Sequence, residues 1–129
     1  MNREMLSKQL SGMFANIDTH PLLASDITHI IKESGLEKQF LSKLRTQLLI
    51  LNEYKDSAHI RFPDSFEKLR HTKNLYSMKL KNRQYNIRIL YTFQKDGTIL
   101  LYAFCERSGK RSSDYSKPIK IAKERLRDN

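Results

Sequence analysis

Residues 75–115, LYSMKLKNRQYNIRILYTFQKDGTILLYAFCERSGKRSSDY, decide how the rest of the chain is read. Apolar side chains alternate through Tyr76, Met78 and Leu80, and again through Tyr85, Ile87, Ile89, Tyr91 and Phe93. A period of two marks strands with one buried face. Asp96-Gly97 is a dipeptide favoured in tight hairpins, whose central residues need positive φ. The segment therefore reads as three short strands, two turns and a basic loop. A first hairpin closing on Arg83-Gln84 sets Leu80 against Ile87, Met78 against Ile89 and Tyr76 against Tyr91. On the opposite face the same ladder sets Lys79 against Arg88. A second hairpin centred on Asp96-Gly97 pairs Ile89, Tyr91 and Phe93 with Phe104, Tyr102 and Leu100, and places Arg88 beside Cys105. Facing side chains lie ~5 Å apart, and like charges there are destabilising unless compensated. Lys79 across from Arg88 thus points to an anionic ligand. A one-residue change in a loop would send every side chain to the other face.

The chain has 129 residues, enough for one domain with a modest core. Its longest aliphatic run, Leu48-Leu49-Ile50-Leu51, is far short of the ~20 residues that span a bilayer. The first ten residues lack the apolar core of a secretory signal. With Cys105 as the one cysteine, an internal disulfide and a cysteine-rich zinc site are both excluded. His20, His29, His59 and His71 show no metal-ligand spacing. A cytoplasmic protein without membrane, metal or cofactor is expected. Charge is uneven: residues 1–66 hold 8 Lys/Arg against 8 Asp/Glu, whereas residues 67–129 hold 16 against 6. The whole excess of +10 sits in the second half, and a face this basic attracts phosphate-rich partners.

Taken in order, Leu6, Leu10, Met13, Phe14 and Ile17 form an amphipathic stripe, so residues 1–20 predict an extra N-terminal helix. Ser25-Asp26 offers an N-cap for a second helix that Gly35 closes. A longer one carries Leu36, Phe40, Leu44, Leu48 and Leu51 to about Tyr54, completing a helical pair over 26–55. Arg61-Phe62-Pro63-Asp64 breaks the pattern, and a single turn containing Phe66 and Leu69 follows. The sheet covers 75–105 and the basic loop 106–115. A C-terminal helix covers 117–128, with Pro118 in its first turn and Ile119, Ala122 and Leu126 on its apolar side. The expected fold is one α+β domain over 1–129: N-terminal helices on a small twisted, mainly antiparallel sheet of three to four strands, closed by a short helix.

The ordered series LYSMKL, YNIRILY, a third apolar strand, ERSGKRSSDY and IAKERL resembles the RelE/HigB-like toxins of bacterial type II toxin–antitoxin modules, over roughly Phe62 to Leu126. The resemblance implies an RNA-cleaving toxin, a metal-independent endoribonuclease (mRNA interferase) that cuts mRNA in the ribosomal A site by attack of a 2′-OH on the neighbouring phosphate. It also implies a cognate antitoxin, a small helix-turn-helix protein encoded adjacently. By position, Lys79 matches the basic residue of the first central strand and Arg88 the arginine after the hairpin. Arg111 matches the arginine of the basic loop, and Tyr115 the aromatic residue beyond it. Lys81, Arg83, Arg107, Lys110 and His71 fall to RNA contact. A second basic residue that the family often places two positions before Lys79 is here Ser77. Asp114 fits an acidic role found in HigB-like members.

In that chemistry Arg88 and Arg111 would stabilise charge on the phosphate, a planar guanidinium holding two oxygens at once. Lys79, crowded by Arg88, would act as acid or base. Tyr115 would either stack on a displaced base or anchor the loop through its hydroxyl. Cys105 reads as a small packed side chain. Two alternatives stand beside the nuclease: a ParE-like toxin that poisons gyrase without cleaving, and a non-catalytic nucleic-acid or protein adaptor.

Overall fold

The computed structural model describes residues 1–95, 97–106 and 115–128. It has five helices and a five-stranded sheet: α1 (Arg3–Met13), β1 (Asp18–Thr19), α2 (Leu23–Ile31), α3 (Glu37–Tyr54), α4 (Ala58–Arg61), β2 (Phe66–Lys68), β3 (Tyr76–Lys81), β4 (Asn86–Gln94), β5 (Gly97–Cys105) and α5 (Ser116–Arg127). The strand order is β1-β5-β4-β3-β2, antiparallel except for the parallel pair of β1 with β5. The α+β class is as expected, and the sheet has five strands in place of three to four, with a short strand at each edge.

Both added strands are too short to show a period. β1 is two residues long, and its pairing runs on through the His20 N–H to the Leu100 carbonyl at 2.8 Å. β2 lies where the sequence predicts a single turn containing Phe66 and Leu69. In the structure Phe66 pairs with Met78 and joins the main core, while Leu69 lies on the other side of the sheet. α2 begins at Leu23 rather than after a Ser25-Asp26 cap, so Asp26 lies inside its first turn and is free to reach the sheet.

The β3–β4 register is the one expected, including Lys79 opposite Arg88. The β4–β5 register is not. Gln94 faces Gly97, two positions short of its expected partner, and Gly97 takes φ +126° as the first residue of β5. Only glycine enters that region without strain. A bulge then follows: Tyr91 faces Leu100 and Leu90 faces Tyr102, leaving Leu101 as the extra residue. Ala103, not Phe104, therefore faces Ile89, and Phe104 lies across from Arg88. Cys105 pairs with Ile87 and is exposed, not packed.

Alternation divides the apolar residues between two cores, and the bulge puts Leu101 and Tyr102 together on one of them. One face of the sheet packs on α1, α2 and α3 through Leu6, Leu10, Ile27, Phe40, Leu44 and Leu51. The other face holds Leu69, Leu75, Leu90, Leu101 and Tyr115 beneath Ala122 of α5, with Ile119 and Leu126 at the margin. The basic face is thus largely roofed by the last helix.

Tyr91 is the largest fully buried side chain. Its ring stacks on Tyr76 at 5.3 Å and meets Phe66 and Phe93 edge-on. Its hydroxyl has no hydrogen-bond partner among the described residues. Burial first, and Tyr76 second, hold its ionisation above the ordinary tyrosine range. The fold favours the protonated form, so this stabilisation is complete below pH ~10 and is lost as pH rises above it. Tyr91→Phe removes the unpartnered hydroxyl and is expected to stabilise the protein by about 1 kcal/mol. Thermal melts at pH 7 and pH 11 check this: the variant melts a few degrees higher at neutral pH and keeps more of its stability in alkali.

Candidate functional site

Adjacent strands converge on one polar cluster. Ser77 and Lys79 project from β3, Asn86 and Arg88 from β4, Glu67 from β2, and Glu106 follows β5 directly. Glu67 pairs with Ser77, Lys79 with Arg88, and Glu106 donates its N–H to the Asn86 carbonyl at 2.8 Å. Alternation sends all these side chains to the α5 side of the sheet.

The like charges of Lys79 and Arg88 are compensated from within the chain. Arg88 Nη2 stands 2.8 Å from Glu106 Oε2, with side chains 10% and 11% exposed. The approach is close but off the hydrogen-bonding line, so Oε2 belongs to an ion pair without an aligned bond. Lys79 Nζ lies 3.8 Å from Glu67 Oε1, a more open pair with 25% and 43% exposure. An exposed pair of this kind contributes ~0–1 kcal/mol. Charge repulsion alone therefore no longer demands a ligand.

Polar satisfaction makes a stronger case for one. Ser77 Oγ, Asn86 Oδ1, Arg88 Nε and Glu106 Oε2 are all buried and lack an aligned hydrogen-bond partner among the described residues. Such atoms ordinarily find partners, because leaving one unmade costs ~1–3 kcal/mol. Four of them on adjoining positions of one face form a donor and acceptor set ready for a polar group.

Tyr115 immediately precedes α5, with its ring edge-on to Phe104 at 5.3 Å and 5% exposed. A ring so enclosed has no open face for a base, which favours the anchoring role. Its ionisation is raised mainly by burial, against the pull of the Ser77 hydroxyl, which lies close to it but off the hydrogen-bonding line, and of the Arg88 guanidinium. The hydroxyl therefore stays protonated at neutral pH and can donate toward the cluster.

Lys81 and Arg83 lie outside this enclosed cluster. With Lys79, Lys43 and Asn82 they line an open cleft of about 470 Å³ at the β3–β4 turn, with Asp64 as its carboxylate. Lys43 of α3 also donates to the Lys81 carbonyl at 2.7 Å, tying the helix to the free edge of β3. Lys79 belongs to both groups, so the cations continue from the roofed cluster into the cleft. His71 is exposed in the β2–β3 connection at φ +59°, away from the strand positions that carry the cluster. Arg107, Lys110, Arg111 and Asp114 lie outside the described residues.

Glu106, Glu67 and Asn86 were not singled out from the sequence. In the sequence Glu106 stands at the start of the basic stretch 106–115. With β5 one residue out of register, nothing placed its carboxylate beside Arg88. No family model, curated protein or solved structure matches this chain. No helix among the described residues is long and apolar enough to cross a membrane.

Proposed function

We propose that this face cleaves RNA, and that the chain is the toxin of a type II toxin–antitoxin module acting in the cytoplasm on ribosome-bound mRNA. The observation that carries the reading is the set of buried polar atoms beside Lys79 and Arg88 that lack an aligned hydrogen bond among the described residues. The basic second half of the chain and the motif series around Lys79, Arg88 and Tyr115 support it. Arg88 offers its Nε–H to a phosphate oxygen, and the Ser77 hydroxyl offers a second donor. The Glu106 carboxylate takes the proton of the ribose 2′-OH. The 2′-oxygen then bonds to phosphorus as the bond to the 5′-oxygen breaks, leaving a 2′,3′-cyclic phosphate. The Lys79 ammonium, at the mouth of the open cleft, supplies the proton to the departing 5′-oxygen. Preorganised donors aimed at developing charge are commonly the largest single contribution in such reactions. Lys81, Arg83 and Lys43 would hold the strand by its phosphates without reading sequence.

Primer extension on an mRNA translated with the protein tests this reading. New 5′ ends at codon boundaries are expected, and intact message would overturn it. Lys79→Ala is expected to slow cleavage at least ten-fold with the melting temperature almost unchanged, since its pair with Glu67 is exposed. A single-turnover rate on programmed ribosomes is the check. The near-complete burial of the Arg88–Glu106 pair favours a second reading, a ParE-like or adaptor protein in which the pair is structural. A DNA-damage response without RNA cuts would select the gyrase-poisoning form.

A further inference from the structure

On the far side of the sheet from that cluster, α1 and α3 leave a groove of about 530 Å³ between them. Its apolar wall comes from Met13, Ile17, Leu48 and Leu49, and Leu49 is 67% exposed. Lys8 and Arg45 flank it, and no carboxylate lines it among the described residues. Neither cation is in an ion pair among the described residues.

Gly12 gives the groove its floor. Glycine within a helix is unfavourable relative to alanine, and near a helix end it is usually explained by a positive φ. Gly12 lies before the Phe14 cap and is not in that region. A Cβ built on it meets nothing within 4 Å. The chain's own packing therefore gives no reason for the missing side chain. A second backbone passing close over this point would give one.

We infer that the groove is a docking site for an acidic amphipathic helix of a partner protein. Lys8, Gly12, Arg45 and Leu49 present cations, a close-approach point and an apolar anchor on two neighbouring helices. The groove follows residues 8–13 of α1 and 45–52 of α3, about two turns of helix or ~12 Å, and runs on past the end of α1 to Ile17. A helix laid there would bury an apolar stripe against Leu49 and Met13 while its acidic flanks meet Lys8 and Arg45. A second copy of this chain is a poor occupant, because each copy carries +10. The inference is independent of the cleavage reading, which concerns the opposite face.

The probe is a fluorescein-labelled peptide of about 14 residues built from Leu, Ala and Glu in helical amphipathic order. Its scrambled isomer has the same composition and charge. Anisotropy titrations with the full chain should show the ordered peptide binding at least ten-fold more tightly than the isomer. Gly12→Leu fills the floor while favouring helix, so it should remove that ten-fold difference with a melting midpoint at or above the parent's. Lys8→Glu with Arg45→Glu should weaken the ordered peptide at least ten-fold. Equal binding of both peptides would mean general attraction to a basic protein and would overturn the proposal. So would full affinity in Gly12→Leu. Saturable binding of decanoate without any peptide binding would assign the groove to a small amphiphile instead, and self-association abolished by Gly12→Leu would assign it to a second copy; either result overturns it.

Discussion

A chain carrying Arg88→Gln and Glu106→Gln together is expected to fold with a melting temperature close to the parent's and to cut RNA at least 10²-fold more slowly. The pairing of the two substitutions matters. Arg88→Ala alone would strand the Glu106 carboxylate in a site where both side chains are about nine-tenths buried. Breaking a buried pair by removing one partner costs ~3–5 kcal/mol, so lost activity would be confounded with lost fold. Removing both charges while keeping two planar amides is close to neutral, because desolvation of the pair offsets most of its attraction. Catalysis has no such compensation. The substitution removes the guanidinium aimed at the phosphate, and a single such donor is worth a factor of ~10²–10³. It also removes the carboxylate that accepts the 2′-OH proton. Circular dichroism melts and single-turnover cleavage on the same preparation separate the outcomes. A folded double variant that cuts at the parent's rate takes both residues out of the reaction and leaves them a structural pair.

That design depends on a residue the sequence reading passed over, and the reason is local. The β3–β4 hairpin could be placed because apolar residues recur at every second position from Tyr76 to Leu80 and from Tyr85 to Phe93, with Leu90 the one apolar residue between them. The turn residues then admit one register. β5 offers no such constraint: Ile99-Leu100-Leu101-Tyr102-Ala103-Phe104 is apolar at every position, so the stretch carries no period. Such a run tolerates a bulge at Leu101 as readily as a regular ladder, and the bulge uses it, setting Leu101 and Tyr102 on the same side of the sheet. Phe104 and Glu106 reach the Arg88 face by that one extra residue. The same run buries apolar side chains on both sides of the sheet, which signals a cover on each. Lys79 and Arg88 therefore sit at the margin of a roofed face instead of on an open one. The edge strands were invisible for a different reason. Two or three residues cannot display a period, and they are strands only because β5 and β3 offer them free backbone groups.

Asp26→Ala is expected to destabilise the fold by ~3 kcal/mol and lower the melting temperature by roughly 10 °C. Asp26 lies in the first turn of α2, yet its carboxylate does work far along the chain. Oδ2 accepts from Arg125 Nη1 at 2.5 Å and from the Ala103 N–H at 3.2 Å, while Oδ1 accepts from Arg125 Nη2 at 3.0 Å. Arg125 also donates to the Leu101 carbonyl at 2.9 Å and lies over the Tyr102 ring at 4.8 Å. One carboxylate thus ties α2, β5 and α5 together at the bulge, where the ladder of backbone bonds is interrupted. Alanine leaves a guanidinium that is 12% exposed without its counter-charge, and leaves the Ala103 N–H unpaired. Asp26→Asn keeps an acceptor and the shape, so it should lose about half as much. The consequence extends to the site, because α5 roofs Leu90, Leu101 and Tyr115. If Asp26 holds that roof in place, the alanine variant binds a hydrophobic dye below its melting point and cuts RNA more slowly, while the asparagine variant does neither. If both variants melt within 2 °C of the parent, Ile119, Ala122 and Leu126 suffice to hold α5, and the ion pair contributes nothing measurable.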